Sequence, residues 1–493
     1  MSAENTLPIL ILAPLIFGGI SLLLRSARGA LRFCAAGTLA TAALAGITAY
    51  NVLRGGPAES ANGWLMLDAL SAQHLLAMMT VFSLSSLYAL IYFRDEAADG
   101  RLTPKMAGRY GGLWFGSLAA MMLVLVSNSL GMMWVGVEAS TLMTAFLICI
   151  HASPGALEAM WKYLLMCSVG VAVAFTGILL VAAATGPAGL HGMDALLWTT
   201  LMDAASRLNP MMLKAGFIFI VIGYGTKAGL APLHNWLPDA HSQAPAPVSA
   251  VFSGFLLNAA LYCILRCLPL VEAATGNEGW GRSILVIFGL LSILVAAAFI
   301  VLQRDVKRLL AYSSVEHIGI MALGAGIGGA GAAAALFHLI NHSICKPIAF
   351  FCAGRIGQIY GTHDLPGLTM IIRRAPVWGA GLIISLLALV GVAPFSVFLS
   401  EFLVLKAAVD HSLYVVAALF LLGLGVVFIA VLRHIIAMAW KPAEQQAGPV
   451  KFSLPEALLI FIPLAIVLLL GMWIPGPLLK ILSRAAQVLG GLS

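Results

Sequence analysis

The chain has 493 residues, 61% hydrophobic and only 10% charged, against roughly a quarter charged in an ordinary soluble domain. That composition excludes a large soluble domain, and the formal charge of +7 reads as loop charge on a membrane protein rather than as a nucleic-acid surface. Seven cysteines are scattered without a CxxC pair and are expected to be small buried hydrophobes, so no zinc, iron–sulfur or other metal site is expected in this chain.

Glu4 precedes the first apolar run, and Arg25, Arg28 and Arg32 follow it. This is the reverse of a cleaved signal's charge order and predicts a retained helix with its N-terminus outside. Runs of roughly 20 apolar residues, each able to cross about 30 Å of hydrocarbon, then recur along the chain. They predict spans at 6–24, 31–53, 68–93, 107–127, 130–150, 159–184, 211–233, 246–270, 281–302, 308–327, 331–358, 376–399, 411–440 and 454–475, about fourteen helices in one transmembrane domain, 1–493. Odd-numbered connections carry most of the basic residues, among them Arg94, Arg101, Lys105, Arg304, Arg373, Arg374 and Lys441, whereas even-numbered ones carry only Arg54, Arg207 and Arg282. The alternation supports the count and places both termini outside.

The seventh span carries Lys227 just ahead of Pro232, whose missing N–H is expected to leave the carbonyl of Ala228 without its helical partner. The twelfth has Pro394 in LVGVAPFSVFLSE, with Glu401 beyond it and Lys406 five residues further on. Helices four to eight (about 107–270) and nine to thirteen (about 281–440) therefore read as inverted five-helix repeats, each broken in its fourth helix, flanked by 6–93 and 454–475.

Ionisable residues at membrane depth are costly and are kept for ion paths or paired partners. Glu138 lies well inside the fifth span and is read either as pairing with Lys227 across the bundle or as a snorkelling or structurally hydrogen-bonded carboxylate. His338, His342 and Lys346 recur at i, i+4 and i+8, which puts a polar column on one face of helix eleven, suited to relaying protons. Two histidines on a single helix do not supply an axial haem pair. Glu316 and His317, in helix ten, are read either as lining a way in from the cytoplasm or as interfacial. Arg266, near the outer end of helix eight, is expected to snorkel. His151, Glu158 and Lys162 are expected to be solvated around a cytoplasmic turn.

These residues carry a pattern. The chain resembles the antiporter-like proton-translocating membrane subunits of respiratory complex I, Mrp cation/proton antiporters and membrane-bound hydrogenases, above all in KAGLAPLHNWLPDAHSQAPAPVSAV (227–251). DVKRLLAYSSVEHIGI (305–320), NHSICKPIAFF (341–351) and GVAPFSVFLSEF (391–402) are similar in particular to the hydrogenase-4 component F type. The resemblance implies an all-α integral membrane protein with inverted repeats, broken helices seven and twelve, and a hydrated polar axis at the midplane. It matches Glu138, Lys227, His338, His342, Lys346 and Glu401 to the family's proton path, and His234, Asn258, Glu316 and His317 are added to that path as further candidates. Asn258 departs from the complex I pattern, which has lysine or histidine there: asparagine holds water but stores no proton. The chain ends soon after helix fourteen, so the long lateral helix of the distal complex I subunit is not expected.

The implied function is proton translocation within a multi-subunit redox complex in a prokaryotic inner membrane. No cofactor is expected in this chain, and nickel–iron and iron–sulfur centres are expected in partner subunits. The alternatives are a cation/proton antiporter subunit without redox coupling and a scaffold that no longer conducts.

Overall fold

A computed structural model describes residues 3–276, 279–442 and 448–490, which are almost entirely helical. Among them, 13 helices are long and apolar enough to cross a membrane. The first eleven are α1 (Ala3–Leu23), α2 (Ala27–Gly55), α3 (Ala69–Tyr92), α4 (Pro104–Val126), α5 (Leu130–Ile148), α6 (Pro154–Ala183), α7 (Pro210–Ala228), α8 (Ala246–Ala274), α9 (Trp280–Ile300), α10 (Val306–Ile327) and α11 (Ala330–Tyr360). A twelfth crossing, α12, comes in two pieces, Pro376–Leu389 and Ser396–Asp410. Each piece is shorter than the roughly 17 residues a span needs. Then come α13 (Tyr414–Trp440) and α14 (Leu454–Met472). With the broken α12 the crossings among the described residues number fourteen, as the apolar runs predict.

Local chemistry sets the starts. α4, α6 and α7 open on Thr103-Pro104, Ser153-Pro154 and Asn209-Pro210. In each, the cap side chain accepts from an amide of the first turn, and proline takes a position whose N–H would be unpaired anyway.

The breaks are set differently from the expectation. α7 ends at Ala228 because Gly229 turns left-handed (φ 78), before Pro232 is reached, and helix resumes only at Leu237–Gln243. The predicted span 211–233 therefore overran. In the predicted span 376–399, Leu389 and Ser396 bound the break around Pro394, and the second piece continues to Asp410.

Glycines bring neighbours close. A Cβ on Gly223 of α7 would stand 2.3 Å from the Ala174 amide of α6, and one on Gly289 of α9 would stand 2.5 Å from the Leu323 amide of α10. Such close approach is the usual source of helix packing in lipid. The most apolar windows of α8, α10 and α11 are 100%, 94% and 94% buried, while those of α1, α13 and α14 are 33%. Polar residues on the first three therefore lie in the protein interior and not against lipid.

Contacts between connections show which of them share a side. Arg94 meets Glu456 at 3.4 Å, Arg355 meets Asp95 at 3.3 Å, His151 meets Glu96 at 2.9 Å, and Asp239 receives Lys162 at 3.1 Å and also Arg308. All lie on the side where the basic connections cluster. On the other side, a hairpin of β1 (Ala58–Glu59) and β2 (Met66–Leu67) sits beside Asn128, whose amide donates to Gly63 O at 2.8 Å and Thr199 Oγ1 at 2.9 Å. A short amphipathic helix, α15 (Gly476–Val488), is an element the apolar runs do not predict. It buries Leu482, Ala485 and Ala486 against α3 and α11, and Arg484 donates to Leu53 O.

Candidate functional site

The buried lysine of α7 sits in its last turn, 1% exposed. The break around it is satisfied by protein: Leu230 N donates to Gly225 O at 2.9 Å, Ala231 N to Ser292 Oγ at 2.9 Å, and Trp236 Nε1 to Thr226 O at 2.8 Å. Irregular backbone at this depth needs such partners. Lys227 Nζ donates to Thr141 Oγ1 at 3.0 Å and to Tyr163 OH, and lies 4.5 Å from the Tyr163 ring centre. Tyr163 OH is 2.6 Å from Thr144 Oγ1. Glu138 is half-buried one turn before Thr141 on α5. Its Oε1 accepts from Ser168 Oγ at 2.8 Å, and its Oε2 has no protein partner. Among the described residues no ion pair joins Lys227 to Glu138; each is bound instead to hydroxyls, Lys227 to those of Thr141 and Tyr163 and Glu138 to that of Ser168.

The middle of the site centres on Asn258. α8 loosens into a π-turn at Phe252–Leu256, a distortion often found at functional sites. Asn258 Nδ2 donates to Gly254 O at 3.0 Å and Ser343 Oγ at 3.2 Å, leaving its buried Oδ1 without a protein partner. Sequence reasoning missed a further buried residue. His241, in the short helix after the break, is fully buried, stacks on Phe350 at 4.9 Å, and has no protein partner on either ring nitrogen. It lies within electrostatic reach of Lys307 and Lys346. The signal was present in LPDAHSQ, a segment that must fold back into the bundle. His234 is buried but stands apart, edge-on to Phe299 at 6.3 Å and Tyr312 at 5.8 Å, with no hydrogen bond to another of these groups among the described residues.

The far end is the densest. α11 runs unbroken through Pro347, and His338, His342 and Lys346 are all fully buried on it. Lys346 Nζ donates to Leu310 O at 2.8 Å. His317 Nδ1 lies 2.8 Å from His338 Nε2, and His338 Nδ1 lies 2.9 Å from Ser400 Oγ. Ser400 Oγ also lies 2.8 Å from Val397 O and 3.2 Å from Ser396 O, so it either accepts from His338 Nδ1 or donates to it, and the tautomers of both rings follow that choice. His317 Nε2 is buried without a protein partner. The three residues form one continuous hydrogen-bonded chain. Both nitrogens of His342 are likewise unpartnered, with its ring 5.1 Å from His317.

Glu316 and Glu401 complete this end, each buried with one unpartnered oxygen and close enough to interact. Glu316 and His317 both face the protein interior. Glu401 fills the space at Gly391, where a Cβ would stand 2.1 Å from Oε2 and where φ is +69. Lys406 does not join Glu401: it is exposed and pairs with Asp410 at 2.6 Å. Arg266 does not snorkel; it is 1% exposed and bound to Asp68 by two hydrogen bonds of 2.5 and 2.9 Å. His151, Glu158 and Lys162 are exposed, as expected.

Residues 127–427 match the family described as "NADH:quinone oxidoreductase/Mrp antiporter, TM". The chain belongs to that family. It is 38% identical over 389 residues to the hydrogenase-4 component F homolog of Methylacidiphilum infernorum, covering 79% of this chain and 81% of that one. Its fold is shared with a chain of an archaeal membrane-bound sulfane sulfur reductase (TM-score 0.85, 25% identity, 98% of this chain and 97% of that one) and one of respiratory complex I from Thermus thermophilus (0.78, 23%, 98% and 100%). The protein is an antiporter-like integral membrane subunit.

Proposed function

We propose that this chain moves protons across a prokaryotic inner membrane as a subunit of a redox assembly of the membrane-bound [NiFe] hydrogenase or complex I type. Both termini lie outside, because the basic connections mark the cytoplasmic side. Nickel–iron and iron–sulfur centres belong to partner subunits, and this chain contributes charge, not cofactor ligands.

The observation that carries the reading is the His317–His338–Ser400 wire, flanked by Lys346, Glu316 and Glu401 in a wholly buried setting. Buried titratable groups shift one another's proton affinity, so a charge change at one end biases the next group along. Glu138 and Lys227 form the first such station, and Thr141 and Tyr163 hold the lysine in place. The repeat organisation about 107–270 and 281–440 is supported by a broken helix in each half, each with an ionisable residue beside the break.

Isolation through a tag on this chain tests the reading. The purified assembly is expected to contain nickel- and iron-bearing subunits and, in liposomes, to take up protons during electron flow. Recovery without any redox subunit, together with sodium-for-proton exchange in liposomes, would instead establish the redox-independent antiporter.

A further inference from the structure

A second buried polar cluster joins α3 to α8 on the side opposite the basic connections. Asp68 caps α3, its Oδ1 accepting from Ser71 N at 2.9 Å. Besides its two bonds to Asp68, Arg266 donates from Nη2 to Ser71 Oγ at 2.6 Å and to Tyr262 OH at 2.7 Å, and lies 4.7 Å over the Trp198 ring. A bidentate, stacked guanidinium is held in place and does not give up its proton. It is a fixed charge, compensated by Asp68, and not a carrier.

A histidine lies one turn deeper on α3. His74 is fully buried, with Nδ1 2.8 Å from Leu70 O and its ring 5.0 Å from Tyr262. A carbonyl only accepts, so Nδ1 carries the hydrogen and Nε2 keeps its lone pair. Nε2 has no protein partner. The adjacent Gln73 donates to Leu336 O at 2.9 Å, two residues from His338 on α11, and its own buried Oε1 is unpartnered. Asn258, Tyr262 and Arg266 follow one another at i, i+4 and i+8 on one face of α8, the first again with an unpartnered acceptor. Leaving a buried acceptor unmet costs about 1–3 kcal/mol, so His74 Nε2, Gln73 Oε1 and Asn258 Oδ1 are each a place for water.

We propose that His74 is a proton-accepting station on a branch that leaves the central column at Gln73 and opens at the Asp68–Arg266 end of the bundle. A proton is taken up at Nε2 from water on the column side, giving imidazolium. The same nitrogen returns it to water on the Asp68 side, restoring the starting tautomer with no net change. The titratable and charged groups facing this imidazole are Asp68, Tyr262 and Arg266.

This inference rests on the proton-moving reading, and the test separates the two. The assembly, isolated through a tag on this chain, is reconstituted in liposomes, and proton uptake is driven by a potassium diffusion potential. His74→Phe, which keeps the ring, and His74→Gln, which keeps a donor for Leu70 O, are each expected to slow uptake by about tenfold or more. Ser71→Ala removes a cluster hydroxyl, leaves the imidazole, and serves as the control for assembly. Wild-type rates in both His74 variants would overturn this proposal alone. Failure of both to assemble, with Ser71→Ala intact, would show that the imidazole only holds α3 to α8. Absence of uptake in the wild type would sink the proton-moving reading as well.

Discussion

Asn258 is the residue on which continuity of the axis depends. Its amide is committed to Gly254 O and Ser343 Oγ, and its Oδ1 faces no protein donor, so it can fix a water between Lys227 and Lys346 without titrating. Leucine has similar bulk but would dry the place. Asn258→Leu is therefore expected to stop or strongly slow proton movement, while Ser343 Oγ, 2.8 Å from Gly254 O, keeps the π-turn satisfied and limits the stability loss to about 1 kcal/mol. Asn258→Lys should retain activity, since a titratable group suits that place. Proton uptake per electron and thermal melting of both variants give the answer; normal pumping by Asn258→Leu would take position 258 off the path. In the same column, His342→Ala should lower translocation far more than stability, because both its ring nitrogens lack protein partners and removing it strands no bonded group. If uptake per assembled complex is unchanged and only expression falls, His342 is a packing residue.

Between elements, two joints can be tested separately. At the break of α12, Gly391 has φ +69 and its missing Cβ makes room for Glu401. Gly391→Ala should cost about 1 kcal/mol or more in backbone strain and also displace the carboxylate, so translocation should fall further than melting. Equal losses in both would deny Glu401 a role. Between α3 and α8, Arg266→Met leaves Asp68 buried and unpaired and should cost about 3–5 kcal/mol, whereas adding Asp68→Leu should recover part of it. Melting temperatures of the single and double variants decide this; an additive double variant would mean that the two charges do not interact. The prolines made both breaks legible in sequence. The true helix ends were hidden because glycine, and not proline, turns the chain after Ala228. α15 was missed for a related reason: it is 13 residues long and interrupted by Lys480 and Arg484, so it gives no apolar run.

At the scale of the molecule, the crossings were readable because apolar length and alternating basic connections are local properties that a bilayer enforces. The ionisable residues were readable singly, since any charge inside an apolar run stands out. Their partners were not. Asp68 lies 198 residues from Arg266, so a lone arginine near a helix end looked like a snorkelling one. Tyr163 and Thr141, which hold Lys227, are unremarkable in sequence, and His241 lay hidden in a polar segment outside the spans. What sequence could not supply is which side chains meet at the centre of the bundle.

If protons cross through this buried axis, Lys227 is the place to cut it. The measurement is proton uptake per electron by liposomes holding the purified assembly, wild type against Lys227→Ala, with Glu138→Gln in parallel. Both variants should assemble and transfer electrons yet take up few or no protons through this chain. Wild-type proton uptake by an assembled Lys227→Ala complex would contradict the account.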